Sequence, residues 1–400
     1  MSDPACRCTD SSAESGREGT VDVELLLAGQ RVSSCRIVPL RLRIGAAVVR
    51  MDGIGRVETE REHRHRGFAR SVMDGALRHM EADAAALTML YGIAGFYPKF
   101  GYVTVGPEST ISLPPADGDG GIPSGYSIRP FGPDNLPRVQ RLYDEMTAGS
   151  VATALRRHDS YPWTTLMEPA HTGTSPDCQV VTDAGGQITA YVWRGELLQF
   201  VRAHSQVRPD ELIVAEVVAA DVRSARAALA LCRQWAAEEG SRRPIGRVTF
   251  FAPHEGPVAA AAMRMHATLA RRYEPDGGWM ARVLSASRLL SALEPELSRC
   301  LAAADTCFRG TVRVMTDAGE AALAIDADGV RSVLADAAAT DGEALVCRLP
   351  QTVLARLALG CFPPEDLLVC LPHPPEGRVM ELLQMLFPPR AAQLFLADRF

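Results

Sequence analysis

The chain has 400 residues and a mass of 43.1 kDa, more than a single ordinary domain holds. Apolar residues make up 47% and charged residues 22%, the balance of a globular protein rather than a disordered one. The 48 acidic and 42 basic side chains leave a formal net charge of −6. That charge offers no bulk attraction to nucleic acid or to an anionic membrane, although a local basic site remains compatible with it.

The first twenty residues are polar, rich in Ser and Gly, and have no apolar stretch of the kind a secretory signal needs. They read as a disordered tail. No apolar run reaches the ~18 residues of a membrane-spanning helix. The ten cysteines are scattered, which argues against a disulfide scaffold and for reduced thiols in a cytoplasmic setting. The one close pair, Cys6 and Cys8, has no second pair at zinc spacing, so no metal is expected.

Three blocks follow. Residues 21–113 carry alternating apolar segments and end at a Pro- and Gly-rich linker, 114–121. The second block predicts strands at 126–130, 178–181, 188–194, 212–218 and 247–251, with helices over 134–146 and 222–239. The alternation indicates a mixed α/β layer. The third block predicts a helix over 285–301, strands at 308–315, 321–326, 330–334 and 343–348, and helices over 351–359 and 379–387. The chain ends on an apolar, aromatic segment, 394–400, unlike a loose polar terminus.

One passage carries chemistry. A strand through Val57, Glu58 and Thr59 feeds a basic turn, Arg64-His65-Arg66-Gly67-Phe68-Ala69-Arg70, which opens a helix over 71–81. A helix start presents unpaired N–H groups and a positive dipole end, and Gly lets the backbone approach a bulky anion. Alone, such a turn is equally a solvated helix start. A strand at 85–91 follows, then Gly92 and the run Phe96-Tyr97-Pro98-Lys99-Phe100-Gly101-Tyr102.

In this order and spacing, the passage resembles the acyl-CoA signature of the GNAT N-acetyltransferases. Arg64-x-x-Gly67-x-Ala69 is similar to the pyrophosphate loop, and Phe96-Tyr97-x-x-Phe100-Gly101-Tyr102 to the closing tyrosine motif. More loosely, segments at 216–251, 276–283, 289–297 and 349–360 resemble the Eis type (enhanced intracellular survival), which joins two GNAT-like domains to a sterol-carrier-like (SCP2-like) domain.

The resemblance implies an α/β (α+β) fold: tandem GNAT-like mixed-sheet domains at 21–121 and 122–284, then an SCP2-like domain at 285–400. It implies direct acetyl transfer from acetyl-CoA to an amine of a small molecule or peptide, with no metal. Val57 and Thr59 would hold the pantetheine arm. The amides of His65, Arg66, Gly67, Phe68, Ala69 and Arg70, with the charge of Arg64 and Arg66, would cradle the pyrophosphate, and Gly92 would also contact the cofactor. Tyr97 would be the general acid for the departing thiolate, and the terminal carboxylate of Phe400 the base. Glu58 and His63 are competing bases. Relatives of this type assemble as hexamers, so a homo-oligomer is implied, with no nucleic-acid or membrane partner.

Two further expectations attach to the acceptor. GNAT domains open with a strand and two helices that line the acceptor pocket, whereas 21–50 here reads as strands. The acceptor side is therefore expected to be open, reshaped, or completed by the second domain or another subunit. Asp159, Tyr161, Trp163 and Trp193 are candidate lining residues, with packing as the simpler role for each. The alternative function is a non-catalytic acyl-CoA sensor or lipid carrier using the third domain.

Overall fold

The computed structural model describes residues 5–15, 18–115, 121–157, 159–160, 162–164, 175–194, 208–304, 306, 308–333, 343–375 and 377–400. Most of the linker predicted at 114–121, and Tyr161, lie outside the described residues.

The first sheet grows from a meander. Strands β1 (Ala5–Asp10), β2 (Val21–Leu27), β3 (Gln30–Ile44) and β4 (Ala47–Thr59) pair antiparallel in that order. The turn between β2 and β3 is Ala28-Gly29, both at positive φ (52° and 82°), the backbone of a tight two-residue hairpin. This hairpin stands where the family resemblance places two helices. Residues 5–10 correct the expectation of a disordered tail. Their six residues pair in continuous register with β2, whose outer edge would otherwise be open. Cys6 of β1 packs beside Gly75, where a Cβ would crowd it at 3.3 Å.

Helix α1 (Ser12–Ser15) is one turn, and α2 (Phe68–Ala82) is the first long helix. The apolar stripe of α2, including Val72, Met73, Ala76, Leu77 and Met80, buries against Val23, Leu25, Ile37 and Ile54 of the sheet. Strand β5 (Leu87–Gly92) then runs parallel to β4, but the two pair only over residues 51–53.

Two strands cross the boundaries drawn at 121 and 284. After β6 (Val103–Thr104), β7 (Glu108–Leu113) leaves for a sheet of the second half, where it lies between the strands at 247–251 and 268–272. In return β16 (Gly278–Val283) inserts between β5 and β6. Backbone hydrogen bonding drives this exchange and periodicity does not reveal it, because any strand of matching length satisfies an edge.

The second half also holds β8 (Ser127–Phe131), α3 (Leu136–Thr147), β9 (Val151–Ala154), β10 (Ser175–Thr182) and β11 (Ile188–Trp193). Residues 212–218, expected as one strand, form two: β12 (Glu211–Val214) and β13 (Glu216–Ala219). The break is at Ala215, whose N–H turns to the carbonyls of Trp193 and Arg194. Consequently β12 pairs parallel with β14 (Arg247–Phe251), and β13 pairs antiparallel with β11. Helices α4 (Val222–Gly240) and α5 (Gly256–Met263) and strand β15 (Thr268–Arg272) complete this half.

The third block follows its predicted order. Helix α6 (Ala286–Ala303) precedes β17 (Gly310–Thr316), β18 (Gly319–Asp326), β19 (Gly329–Val333) and β20 (Glu343–Arg348), which form a sheet ordered β19-β18-β17-β20. Helices α7 (Gln351–Leu359), α8 (Pro364–Leu368) and α9 (Arg378–Leu386) close it. Leu289, Leu290 and Leu293 of α6 share one core with Leu42, Val49, Met51 and Met89 of the first sheet. Glu296 adds a polar tie at the β3–β4 turn. It accepts from the Ala46 amide at 2.6 Å and pairs with Arg299 and Arg390.

Asp52 of β4 is buried beside Thr88, and among the described residues its Oδ1 has no hydrogen-bond partner, the Arg50 Nε lying 3.8 Å away. Burial raises its pKa to about 6 despite Arg50 nearby, and Asp83 adds to the rise. The carboxyl therefore stabilises the fold most when protonated, and that contribution fades as pH rises from about 3.8 through about 6. Asp52→Asn is expected to raise stability at pH 7 by up to about 3 kcal/mol and to give no gain below about pH 4, measured by urea unfolding at the two pH values.

Candidate active site

The site begins with the parting of β4 from β5. Arg56, at φ 50°, is an extra residue in β4, and the register with β3 shifts there: Arg36 faces Gly55, while Ser34 faces Glu58. Such a bulge bends its strand. Residues 54–59 stay on β3 but leave β5, so their main chain on that side lines a gap. Beyond the bulge, the Ser33 hydroxyl donates to the Glu58 carbonyl at 2.8 Å and lies 2.8 Å from the Thr59 hydroxyl.

The gap widens into a cleft of about 900 Å³ that brings together most of the residues read from the sequence. Val57, Glu58 and Thr59 form one wall. His63, Arg64, His65, Gly67, Phe68, Ala69 and Arg70 form the mouth, and Phe96, Tyr97, Lys99 and Phe100 the opposite side. At the mouth a 3-10 turn, Arg61–His63, leads to His65 (φ 61°) and Gly67 (φ 82°). Gly67 is the N-cap of α2 and supplies no side-chain hydrogen bond to it, so the first amides of the helix remain available to a ligand. Around them the side chains are basic. Arg64 donates to the Thr59 carbonyl at 3.2 Å, Arg66 lies over the Phe68 ring at 5.0 Å, and Arg70 over Phe100 at 5.6 Å.

Helix α4 occupies the matching place in the second half but starts differently. Asp221 caps it, accepting from the amides of Arg223 at 2.7 Å and Ser224 at 2.9 Å. Burial raises the Asp221 pKa, but these bonds outweigh it and hold the carboxyl below its ordinary range. A fixed carboxylate fills the place an anion would take at the start of α4, whereas the start of α2 carries no such cap.

Tyr97 sits at the inner end of the cleft, where Gly92 is essential. A Cβ at Gly92 would lie 2.7 Å from the Tyr97 ring and 2.7 Å from the Met280 sulfur. Gly92 was expected to touch a cofactor. It is not among the residues lining the cleft, and its small size lets the tyrosine ring approach. Phe96 packs edge-on at 4.9 Å. Burial pushes the phenol up to about 12, with Cys35 adding to the rise, so the hydroxyl is protonated throughout the neutral range. The turn Tyr97–Phe100 is pinned from elsewhere in the chain. Arg282 of β16 donates to the Phe100 carbonyl at 2.9 Å, and Gln351 of α7 to the Gly101 carbonyl at 2.6 Å.

The last residue lies against β4 and is not among the residues lining the cleft. A Cβ on Gly53 would come within 2.5 Å of the Phe400 ring, and one on Gly55 within 2.7 Å of the Phe400 carbonyl carbon. These two glycines form the seat of Phe400, a role that sequence reading missed although the Gly-x-Gly spacing within a strand signals close backbone approach.

The competing bases are placed differently. The Glu58 side chain is exposed at the rim of the cleft. His63 is engaged by Arg66 at 3.1 Å, within the basic loop. Trp163 and Trp193, candidates for acceptor lining, are instead buried in the core of the second half, and Asp159 pairs with Arg157 at its surface. Among the described residues, no group of three His, Cys, Asp or Glu side chains is arranged to hold a metal ion.

Comparison with known proteins fits this geometry. Residues 22–105 match the model of the acetyltransferase (GNAT) domain. The chain thus carries an acetyltransferase domain of the GNAT class, and its class of activity is acyl transfer. Three solved structures share the fold over nearly the whole length. A GCN5-related N-acetyltransferase from Kribbella flavida is 18% identical with a TM-score of 0.66, covering 97% of this chain and 88% of that one. One from Anabaena variabilis is 17% identical with a TM-score of 0.64, covering 95% and 89%. Eis1 from Mycobacterium abscessus is 15% identical with a TM-score of 0.59, covering 100% of both. No curated protein matches the sequence.

The contrast between the two helix starts is testable. Gly67→Asp would place a carboxylate beside the first amides of α2, on a backbone (φ 82°) that a side chain adopts only with strain. Coenzyme A binding, followed by titration calorimetry, is expected to weaken at least about tenfold, because the carboxylate repels the phosphates and strains the turn that presents the amides.

Proposed function

We propose that the protein is an acetyl-CoA-dependent N-acetyltransferase that acetylates an amine of a small molecule or peptide by direct transfer. The observation that carries this reading is one cleft with an uncapped helix start at its mouth and a buried, protonated tyrosine at its inner end. The amides of residues 65–70 would take the pyrophosphate, with Arg64 and Arg66 adding charge, and the main chain of Val57 and Thr59 would hold the pantetheine arm along the gap. Acetyl-CoA supplies the activated acyl group. The carboxylate of Phe400 accepts a proton from the acceptor amine, directly or through one water. The amine attacks the thioester carbonyl, and Tyr97 donates its proton to the leaving sulfur. No covalent enzyme intermediate is required, and the cysteines stay out of the chemistry.

The hairpin at Ala28-Gly29 leaves the acceptor side without the two helices that the resemblance implies, which favours an acceptor larger than a compact metabolite, such as a peptide amine. The third block is read as an SCP2-like scaffold that supplies the tail, and assembly into a homo-oligomer belongs to the same reading. The missing helices also favour the second reading, a non-catalytic acyl-CoA sensor or lipid carrier. It predicts acetyl-CoA binding without turnover.

A thiol-release assay against a panel of primary amines, polyamines and short peptides separates the two. With the best acceptor, Tyr97→Phe is expected to lower kcat by about 100-fold or more and to leave the KM for acetyl-CoA nearly unchanged. Full activity in that variant would remove the general acid. Deleting Phe400 is expected to lower kcat likewise, and unchanged turnover would pass the role of base to Glu58 or water.

A further inference from the structure

Ahead of Phe400, the chain crosses the second half of the molecule. Phe395, Leu396 and Ala397 are buried in its core with Tyr143, Trp163 and Tyr191. A 3-10 turn, Leu396–Asp398, then points successive side chains in different directions. Asp398 turns inward to Arg156. Arg399 pairs with Glu108 at 2.7 Å and lies over the Tyr91 and Phe251 rings at 4.2 Å and 4.8 Å. Phe400 reaches Gly53 and Gly55.

Arg156 is the centre of this anchorage. Its side chain is 1% exposed, that of Asp398 1% and that of Glu216 0%. Its Nε and Nη2 donate to Asp398 at 2.8 Å and 2.9 Å, and its Nη1 and Nη2 to Glu216 at 2.9 Å and 2.5 Å. The Tyr191 hydroxyl donates to the second carboxylate at 2.5 Å, and the guanidinium lies 4.0 Å from the centre of the Tyr143 ring.

We propose that Arg156, Glu216 and Asp398 are positioning residues for acyl transfer: they clamp the tail to the second half so that Phe400 is held against Gly53 and Gly55 of β4. The proposal rests on the reading that the Phe400 carboxylate is the base. One cation shared by two carboxylates, all taken out of water, is a poor source of stability, because desolvation cancels most of the attraction. It does fix direction, since a planar guanidinium bonded along two edges admits little rotation of either partner. That fixed direction lies two residues from Phe400. The second half, whose helix α4 starts on the capping Asp221, then serves to hold the end of the chain.

The test uses the full-length protein. Carboxypeptidase A, which removes aromatic carboxy-terminal residues, reports how firmly Phe400 is held without any need for an acceptor. Asp398→Asn keeps the shape and removes one carboxylate charge. It is expected to speed release of Phe400 by at least about tenfold and to lower kcat about 10- to 100-fold, as a small misplacement of a catalytic group does. The KM for acetyl-CoA should change little, whereas the thermal midpoint should fall, because an amide cannot accept from both Arg156 donors that Asp398 holds. Glu216→Gln, which loosens Arg156 from its other side, is expected to do the same and serves if the first variant misfolds. In the protein lacking Phe400, Asp398→Asn should lower kcat no further, because the two changes act through one group. Unchanged trimming in both variants overturns the clamp. Faster trimming with wild-type kcat overturns the positioning role and leaves a purely structural tail, as would independent, multiplying losses of kcat. If deletion of Phe400 alone leaves kcat intact, the terminal base is wrong and the positioning role falls with it, while the trimming rates still report whether the clamp exists.

Discussion

The structure depends on the failure of two parallel strands to stay together. β4 and β5 pair over residues 51–53 and then diverge, because the residue at φ 50° bends one of them away. An open pair of strands inside a sheet leaves main-chain groups without their usual partners, and buried groups of that kind must be satisfied. Residues 54–59 of β4 border that opening, and Phe400 lies against Gly53 and Gly55 of the same strand. The cleft, the seat of Phe400 and the close approach of Tyr97 to β5 all follow from this one separation.

The molecule surrounds that gap with parts from all three blocks. The first supplies the strands, the basic loop and the tyrosine. A strand from the second half and a helix from the third pin the turn that carries the tyrosine, through Arg282 and Gln351. The second half also grips the tail through Arg156 and Glu216. The two halves use similar pieces for different ends. One helix begins on a bare glycine and is open to an anion, whereas the other begins on an aspartate and is closed to it.

Local chemistry was readable from the sequence, and distant pairing was not. Helix α2, the glycine at its start and the aromatic turn at 96–102 are written in contiguous residues, and periodicity with turn chemistry finds them. The strands of the third block were placed to within a few residues for the same reason. The β1 strand was missed because a short polar edge strand owes its existence to the neighbour it covers. The break at Ala215 was missed because an apolar run looks alike whether its halves join one sheet or two. The Arg156 cluster joins residues 60 and 242 positions away in the chain. Its trace in the sequence is a lone carboxylate in each of two apolar segments, at 216 and 398, which a buried cation would explain.

The exchange of β7 for β16 has a consequence for how such a protein is inherited. A gene fragment stopping after residue 121 would encode a sheet with a vacancy between its fifth strand and β6, while carrying a strand that belongs in the neighbouring sheet. Neither half is a module that recombination can lift out intact. Each sheet is completed by a strand encoded beside the other, so the two halves must fold together.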